Sequence, residues 1–105
     1  MREITVEELK QKLDNKEDFQ LIDVREEFEY EICNLNGELI PMASIFDAVD
    51  KISKDKPVII HCKSGGRSGV VVTELEKRFG MTNLFNLKGG ILAYAKQIDT
   101  GMATY

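Results

Sequence analysis

The chain has no tryptophan, two prolines, two cysteines and a single histidine in 105 residues. No apolar run approaches the roughly 20 residues that cross a bilayer, so no membrane-spanning helix is expected. The opening Met1-Arg2-Glu3-Ile4 lacks the apolar region of a secretion signal. Two cysteines without such a signal are expected as free thiols in a reducing compartment, the cytoplasm. One histidine and no C-x2-C pair leave no ligand set, so no metal is expected. An excess of basic charge is missing too. The net charge is −4, which argues against a nucleic-acid or membrane-surface binder. Repeats, linkers and low-complexity segments are also absent, so residues 1–105 read as one domain.

What is present centres on His61-Cys62-Lys63-Ser64-Gly65-Gly66-Arg67-Ser68. The preceding Pro57-Val58-Ile59-Ile60 suits a buried strand. The following stretch from Ser68 to Phe79 spaces Val71, Leu75 and Phe79 four apart, as in a helix with one buried stripe. A cysteine therefore ends a strand, and a glycine-bearing loop turns from it into a helix.

That placement has chemical consequences. A helix start leaves amide hydrogens unpaired and partly positive. Gly65 and Gly66 allow the loop to curl with its amides inward. Such a ring binds an anion, and the nearest is the Cys62 thiolate. A helix N-terminus contributes up to about 2 kcal/mol, which brings a thiol from about 8.5 only to near neutrality. Lys63 and Arg67 are expected to supply the remaining positive charge. Arg67 is expected to face inward, and Lys63 to line the pocket mouth. Ser64 and Ser68 can donate to a sulfur anion or cap the helix; both roles stay open. His61 should point to the opposite face from Cys62, so a structural role is preferred to a general base. Asp23 and Arg25 share a face, where they could touch the substrate, pair with each other or brace the loop; bracing is preferred. Cys33 reads as a small core residue.

Along the rest of the chain, Glu3-Ile4-Thr5 reads as a first strand. Thr5 and Glu8 form a capping box for a helix to about Lys12, burying Leu9 and Leu13. Phe19 to Val24 is a strand. A polar, aromatic-bearing segment follows, with a turn at Asn34-Leu35-Asn36-Gly37. Leu39-Ile40-Pro41 is a brief strand. Ser44 starts a helix with Ile45, Val49 and Ile52 on one face. Gly80 ends the helix after the cysteine loop. Thr82 to Leu87 is a last strand, and Gly89-Gly90 opens a helix around Ile91 to Ile98. The tail from Gly101 to Tyr105 is expected to fray. Strands alternating with helices indicate an α/β class with a mostly parallel sheet. Ligands of such sheets bind beyond strand carboxyl ends, where Cys62 lies.

Cys62-Lys63-Ser64-Gly65-Gly66-Arg67-Ser68 has the form C-x4-R-[ST] and resembles the active loop of the rhodanese-like sulfurtransferases. Leu21-Ile22-Asp23-Val24-Arg25-Glu26 resembles the family's first block. Asn86-Leu87-Lys88-Gly89-Gly90-Ile91-Leu92-Ala93-Tyr94 resembles its closing block, with Tyr94 where tryptophan is usual. The resemblance covers nearly the whole chain. It implies a three-layer fold with a five-stranded sheet between helices. It also implies sulfur transfer from a donor such as thiosulfate, through a persulfide on Cys62, to a thiol or cyanide. Lys63, Ser64, Gly65, Gly66, Arg67 and Ser68 would hold substrate and persulfide, and no further cofactor is needed.

Two other functions are kept. Cysteine phosphatases and arsenate reductases resemble the loop but carry C-x5-R; the shorter ring here should be too tight for a phosphoryl group. The other is a persulfide carrier for a sulfur-relay protein, since Glu27 to Pro41 loosely resembles rhodanese domains attached to sulfurylases. In that stretch Cys33 stands near where many relatives have a histidine.

Overall fold

A computed structural model describes residues 1–105. Five strands form one sheet: β1 (Glu3–Ile4), β2 (Gln20–Asp23), β3 (Glu38–Leu39), β4 (Val58–His61) and β5 (Leu84–Leu87). Their order is β1-β5-β4-β2-β3, and every pairing is parallel. The expected α/β class and five-stranded parallel sheet are therefore present. β4 is central and buried throughout. Alternation along it sends successive side chains to opposite faces. Val58, Ile60 and Cys62 join one core cluster with Val71, Val72 and Leu75. Ile59 joins the other with Leu9, Leu87, Ile91 and Tyr94. Tyr94 thus fills a core position on the second face.

The helices are α1 (Val6–Asp14), α2 (Glu27–Ile32), α3 (Met42–Ile45), α4 (Gly66–Phe79) and α5 (Gly90–Gln97). The capping box of α1 is present: the Glu8 amide donates to Thr5 Oγ1 at 3.1 Å and the Thr5 amide to Glu8 Oε1 at 2.9 Å. Asn36 takes a left-handed φ of 59° in the turn before β3. Its amide donates to the Asn34 carboxamide oxygen at 2.8 Å, which fixes that turn.

Several expectations need correction. α2 occupies a segment read only as polar and aromatic. It has six residues, too few for the 3.6-residue period to show. The Glu29 carboxylate reaches back to the Glu26 amide at 3.0 Å and holds its first turn. The single helix expected from Ser44 is broken. α3 starts at Met42, with Pro41 as its N-cap, and a separate 3-10 turn covers Val49–Lys51. Ile45 and Ile52 are nevertheless both buried. Leu13 and Phe79 end their helical stripes too far from the sheet to be covered, at 37% and 43% exposed. The tail does not fray: the Tyr105 hydroxyl donates to Glu29 Oε2 at 2.6 Å and accepts from Arg25 Nη1 at 2.8 Å.

No helix is long and apolar enough to cross a membrane.

Candidate active site

The β4 strand ends at His61, and Cys62 follows at the carboxyl edge of the sheet. Gly65 then turns the chain into α4 with φ at 106°, a left-handed conformation that disfavours any side chain. The turn brings amides back onto the cysteine. The Gly65 amide donates to Cys62 Sγ at 3.1 Å, and the Ser68 amide donates at 3.4 Å. Ser68 is the third residue of α4, so the sulfur takes the amide that an N-cap side chain would ordinarily satisfy. Ser68 Oγ lies 3.3 Å from the same sulfur.

These contacts decide how acidic Cys62 is. Burial opposes ionisation. The Ser68 hydroxyl and amide and the Gly65 and Ser64 amides outweigh it, so the thiol lies below its ordinary value. The two cations act otherwise than expected. Arg67 sends Nη1 and Nη2 to Glu29 Oε1 and Oε2 at 2.7 and 2.8 Å. The fork still interacts with Cys62, but its main partner is Glu29. Lys63 Nζ stands 4.4 Å over the Tyr105 ring. The hydrogen bonds, more than the basic side chains, ready the thiol. Ser68 resolves into a sulfur partner, whereas Ser64 is exposed and offers its amide. Gly66 has helical geometry and open space around it, so its freedom at φ is not used.

Cys62 is only 1% exposed. Ser64 and Gly66 of the same loop are exposed, while the sulfur itself is enclosed. The amides point at the sulfur, as the anion-ring argument requires.

Asp23 and Arg25 pair at the neighbouring strand end, fully buried. Arg25 Nε and Nη2 donate to the Asp23 carboxylate at 2.7 to 3.1 Å. Nη2 also donates to the Cys33 carbonyl at 2.8 Å. The pair therefore braces α2, which carries Glu29, which holds Arg67. Cys33 is buried and its thiol is free, like that of Cys62. His61 Nε2 lies 3.7 Å from Asp23 Oδ2 without a hydrogen bond, and burial lowers its pKa. A neutral, enclosed ring fits the structural role.

The closing block braces the site from the far side. The Ile91 amide donates to the Cys62 carbonyl at 3.0 Å, and the Leu92 amide to the Lys63 carbonyl at 3.1 Å. A Cβ on Gly90 would collide with the Lys63 carbonyl, so this approach requires glycine. Glu29, Tyr105 and Asn86 were not singled out from the sequence. Only Asn86 left a signal, as a polar residue inside an apolar strand.

The family model for the rhodanese-like domain matches residues 5–97. A sulfurtransferase of Allochromatium vinosum is 36% identical over 97 residues, covering 91% of this chain and 90% of that protein. The probable adenylyltransferase/sulfurtransferase MoeZ of Mycobacterium tuberculosis is 35% identical over 105 residues. That match covers 97% of this chain, which spans 26% of the mycobacterial protein. Among solved structures, a rhodanese-like domain protein from Staphylococcus aureus aligns with TM-score 0.82 at 34% identity, covering 100% of this chain and 99% of that one. A match over most of the length, with a cysteine loop at the strand end, shows that the chain belongs to the rhodanese-like domain family.

Proposed function

We propose that this domain transfers sulfane sulfur through a persulfide on Cys62. The observation that carries the reading is the pair of amides, Gly65 and Ser68, at 3.1 and 3.4 Å from the sulfur. With thiosulfate as donor, the Cys62 thiolate attacks the outer sulfur. A new S–S bond forms, the sulfur–sulfonate bond breaks, and sulfite leaves with its electron pair. The persulfide anion stays within reach of the loop amides, which offset its charge. Cyanide or an acceptor thiolate then attacks the outer sulfur and restores the Cys62 thiolate. The persulfide is itself the carrier, so no separate cofactor enters the cycle.

Lys63, Ser64, Gly65, Gly66 and Arg67 form the wall a donor meets, with Ser68 buried behind them against the sulfur. Because Cys62 is 1% exposed, sulfur loading requires that the loop move for a donor to reach the sulfur. Asp23 and Arg25 act behind the loop by holding α2. A reducing compartment such as the cytoplasm keeps Cys33 and Cys62 as thiols.

The test is intact mass after thiosulfate treatment, with thiocyanate formation from cyanide. Wild type should gain one sulfur atom and form thiocyanate, and Cys62→Ser should do neither. Equal signals from both proteins would remove the reading.

A second reading is a persulfide carrier in a protein relay. It is favoured by the MoeZ match, in which the similar segment is part of a longer adenylyltransferase/sulfurtransferase. It is also favoured by Arg67, whose pairing with Glu29 leaves it poorly placed to hold a free sulfonate. Slow loading from thiosulfate but rapid loading from a persulfide-bearing protein would select it. The phosphatase alternative gains nothing, since only four residues separate Cys62 from Arg67.

A further inference from the structure

Asn86 lies in β5 and is 1% exposed. Its carboxamide nitrogen donates to the Gly65 carbonyl at 3.2 Å and to Glu3 Oε2 at 3.3 Å. A carbonyl and a carboxylate can only accept, so the nitrogen faces them and the amide orientation follows from its partners. The oxygen then faces Ser68 Oγ at 2.5 Å. Ser68 Oγ is also 3.3 Å from Cys62 Sγ. A hydroxyl carries one hydrogen, and here two acceptors stand beside it.

We propose that Asn86 is a positioning residue that competes with the Cys62 sulfur for the single hydroxyl hydrogen of Ser68. This deepens the sulfur-transfer reading and rests on Cys62 as its nucleophile.

The competition depends on the state of the sulfur. As a thiol, Cys62 donates its hydrogen to Ser68 Oγ, and Ser68 donates onward to Asn86. Every group is then satisfied. As a thiolate, the sulfur can only accept. If the hydroxyl stays on Asn86, it turns a lone pair toward the anion. If it swings to the sulfur, the buried Asn86 oxygen loses its donor. Either outcome penalises the bare thiolate. In the persulfide the charge sits on the outer sulfur, so the inner sulfur no longer needs the hydrogen, and Ser68 can return to Asn86. Asn86 thus disfavours the empty anion and favours the loaded state.

Removing Asn86 does not strand the loop, because the Gly65 carbonyl also accepts from the Gly69 amide at 3.0 Å. The surrounding charges are Glu3 of β1 beside Asn86, Lys63 over Tyr105, the Asp23–Arg25 pair of the β2 end, and Arg67 of α4 paired with Glu29 of α2. His61 of β4 is held neutral by burial. These residues are the same in every variant compared below.

The experiment is the pH dependence of Cys62 alkylation by iodoacetamide, read by mass on the peptide containing Cys62. Wild type, Asn86→Ala, Ser68→Ala and the double variant are compared. Asn86→Ala should move the midpoint to lower pH and raise the thiolate fraction below that midpoint by about three- to tenfold. Ser68→Ala should move it to higher pH. In the Ser68→Ala background, Asn86→Ala should have no further effect on the midpoint. General loosening of the loop would raise the rate at every pH and leave the midpoint in place. A midpoint that is unchanged or raised in Asn86→Ala overturns the proposal, as does an equal shift with and without Ser68. Should Asn86→Ala not fold, Asn86→Leu removes the same acceptor while keeping the branched shape and the number of side-chain heavy atoms. Alkylation needs no sulfur donor, so a failure to load sulfur and a failure of this proposal are read separately.

Discussion

Arg67 turns its guanidinium fork onto Glu29, with two parallel hydrogen bonds of 2.7 and 2.8 Å. The pair ties the first turn of α4 to α2 and closes one side of the cysteine loop. Arg67, Tyr105 and the Glu26 amide together hold the Glu29 carboxyl down at about 2, against its burial. An ordinary glutamate ionises near 4.5.

A pH dependence of stability follows. The folded value lies below the unfolded one, so the stabilisation is fully present above about pH 4.5 and is lost as pH falls toward 2. Arg67 is 37% exposed, and solvent weakens the pair. The loss is then on the order of 2 kcal/mol. Urea unfolding at pH 7 and at pH 3 should show part of this loss in wild type and a smaller one in Glu29→Gln. Equal losses in both proteins would remove Glu29 from the account.

The glycines divide into those the backbone needs and those it does not. Gly90 has φ at 62°, and a Cβ there would lie 2.7 Å from the Cys62 carbonyl oxygen. Gly66 has nothing within 4 Å of such a Cβ. Gly90→Ala should lose about 2–4 kcal/mol of stability, from strain and from the displaced Cys62 and Lys63 carbonyls. Gly66→Ala, inside a helix, should be neutral or slightly stabilising. Denaturant midpoints check both. A well-folded Gly90→Ala protein with unchanged stability would show that α5 does not brace the loop.

That contrast also marks how far the sequence could be read. β4 was legible because its three β-branched apolar residues run between a proline and a loop. The capping box of Thr5 and Glu8, and Gly80 as a helix stop, were legible because each is a local pattern with a local cause. The cysteine loop showed that amides would be free at the helix start, and the structure turns those of Gly65 and Ser68 onto the sulfur. Partners chosen across the sheet were not legible. Arg67 and Glu29 are 38 residues apart, and Tyr105 and Arg25 are 80 apart. Nothing local in Tyr105 indicates that it covers Arg25. α2 escaped notice because six residues give a helical period too little room, and a glutamate closes its first turn.

Arg25 is the largest fully buried side chain. It meets Asp23, the Cys33 carbonyl and the Tyr105 hydroxyl at 2.7 to 2.8 Å. Arg25→Ala would leave the Asp23 carboxylate buried without its cation, at a cost of about 3–5 kcal/mol. Arg25→Lys should also be poorly tolerated, because one ammonium cannot reproduce a planar fork aimed at three acceptors. Calorimetric unfolding of the two variants measures this. A lysine variant as stable as wild type would mean that charge alone matters here.

Tyr105 joins two parts of the rim. Its hydroxyl bridges Glu29 and Arg25, and its ring lies under Lys63. The two functions separate by substitution. Tyr105→Phe removes the bridge and keeps the ring, and should cost about 1–2 kcal/mol because Glu29 and Arg25 each lose a buried partner. Tyr105→Leu removes both and should release the Lys63 side chain as well. Amide hydrogen exchange distinguishes the effects: phenylalanine should speed exchange in α2 and at Gly101 to Tyr105, and leucine should extend the faster exchange to the loop at Lys63 and Ser64. Wild-type exchange that is already at the unprotected rate across the tail would show that Tyr105 does not hold it down, and both variants would then behave like the parent.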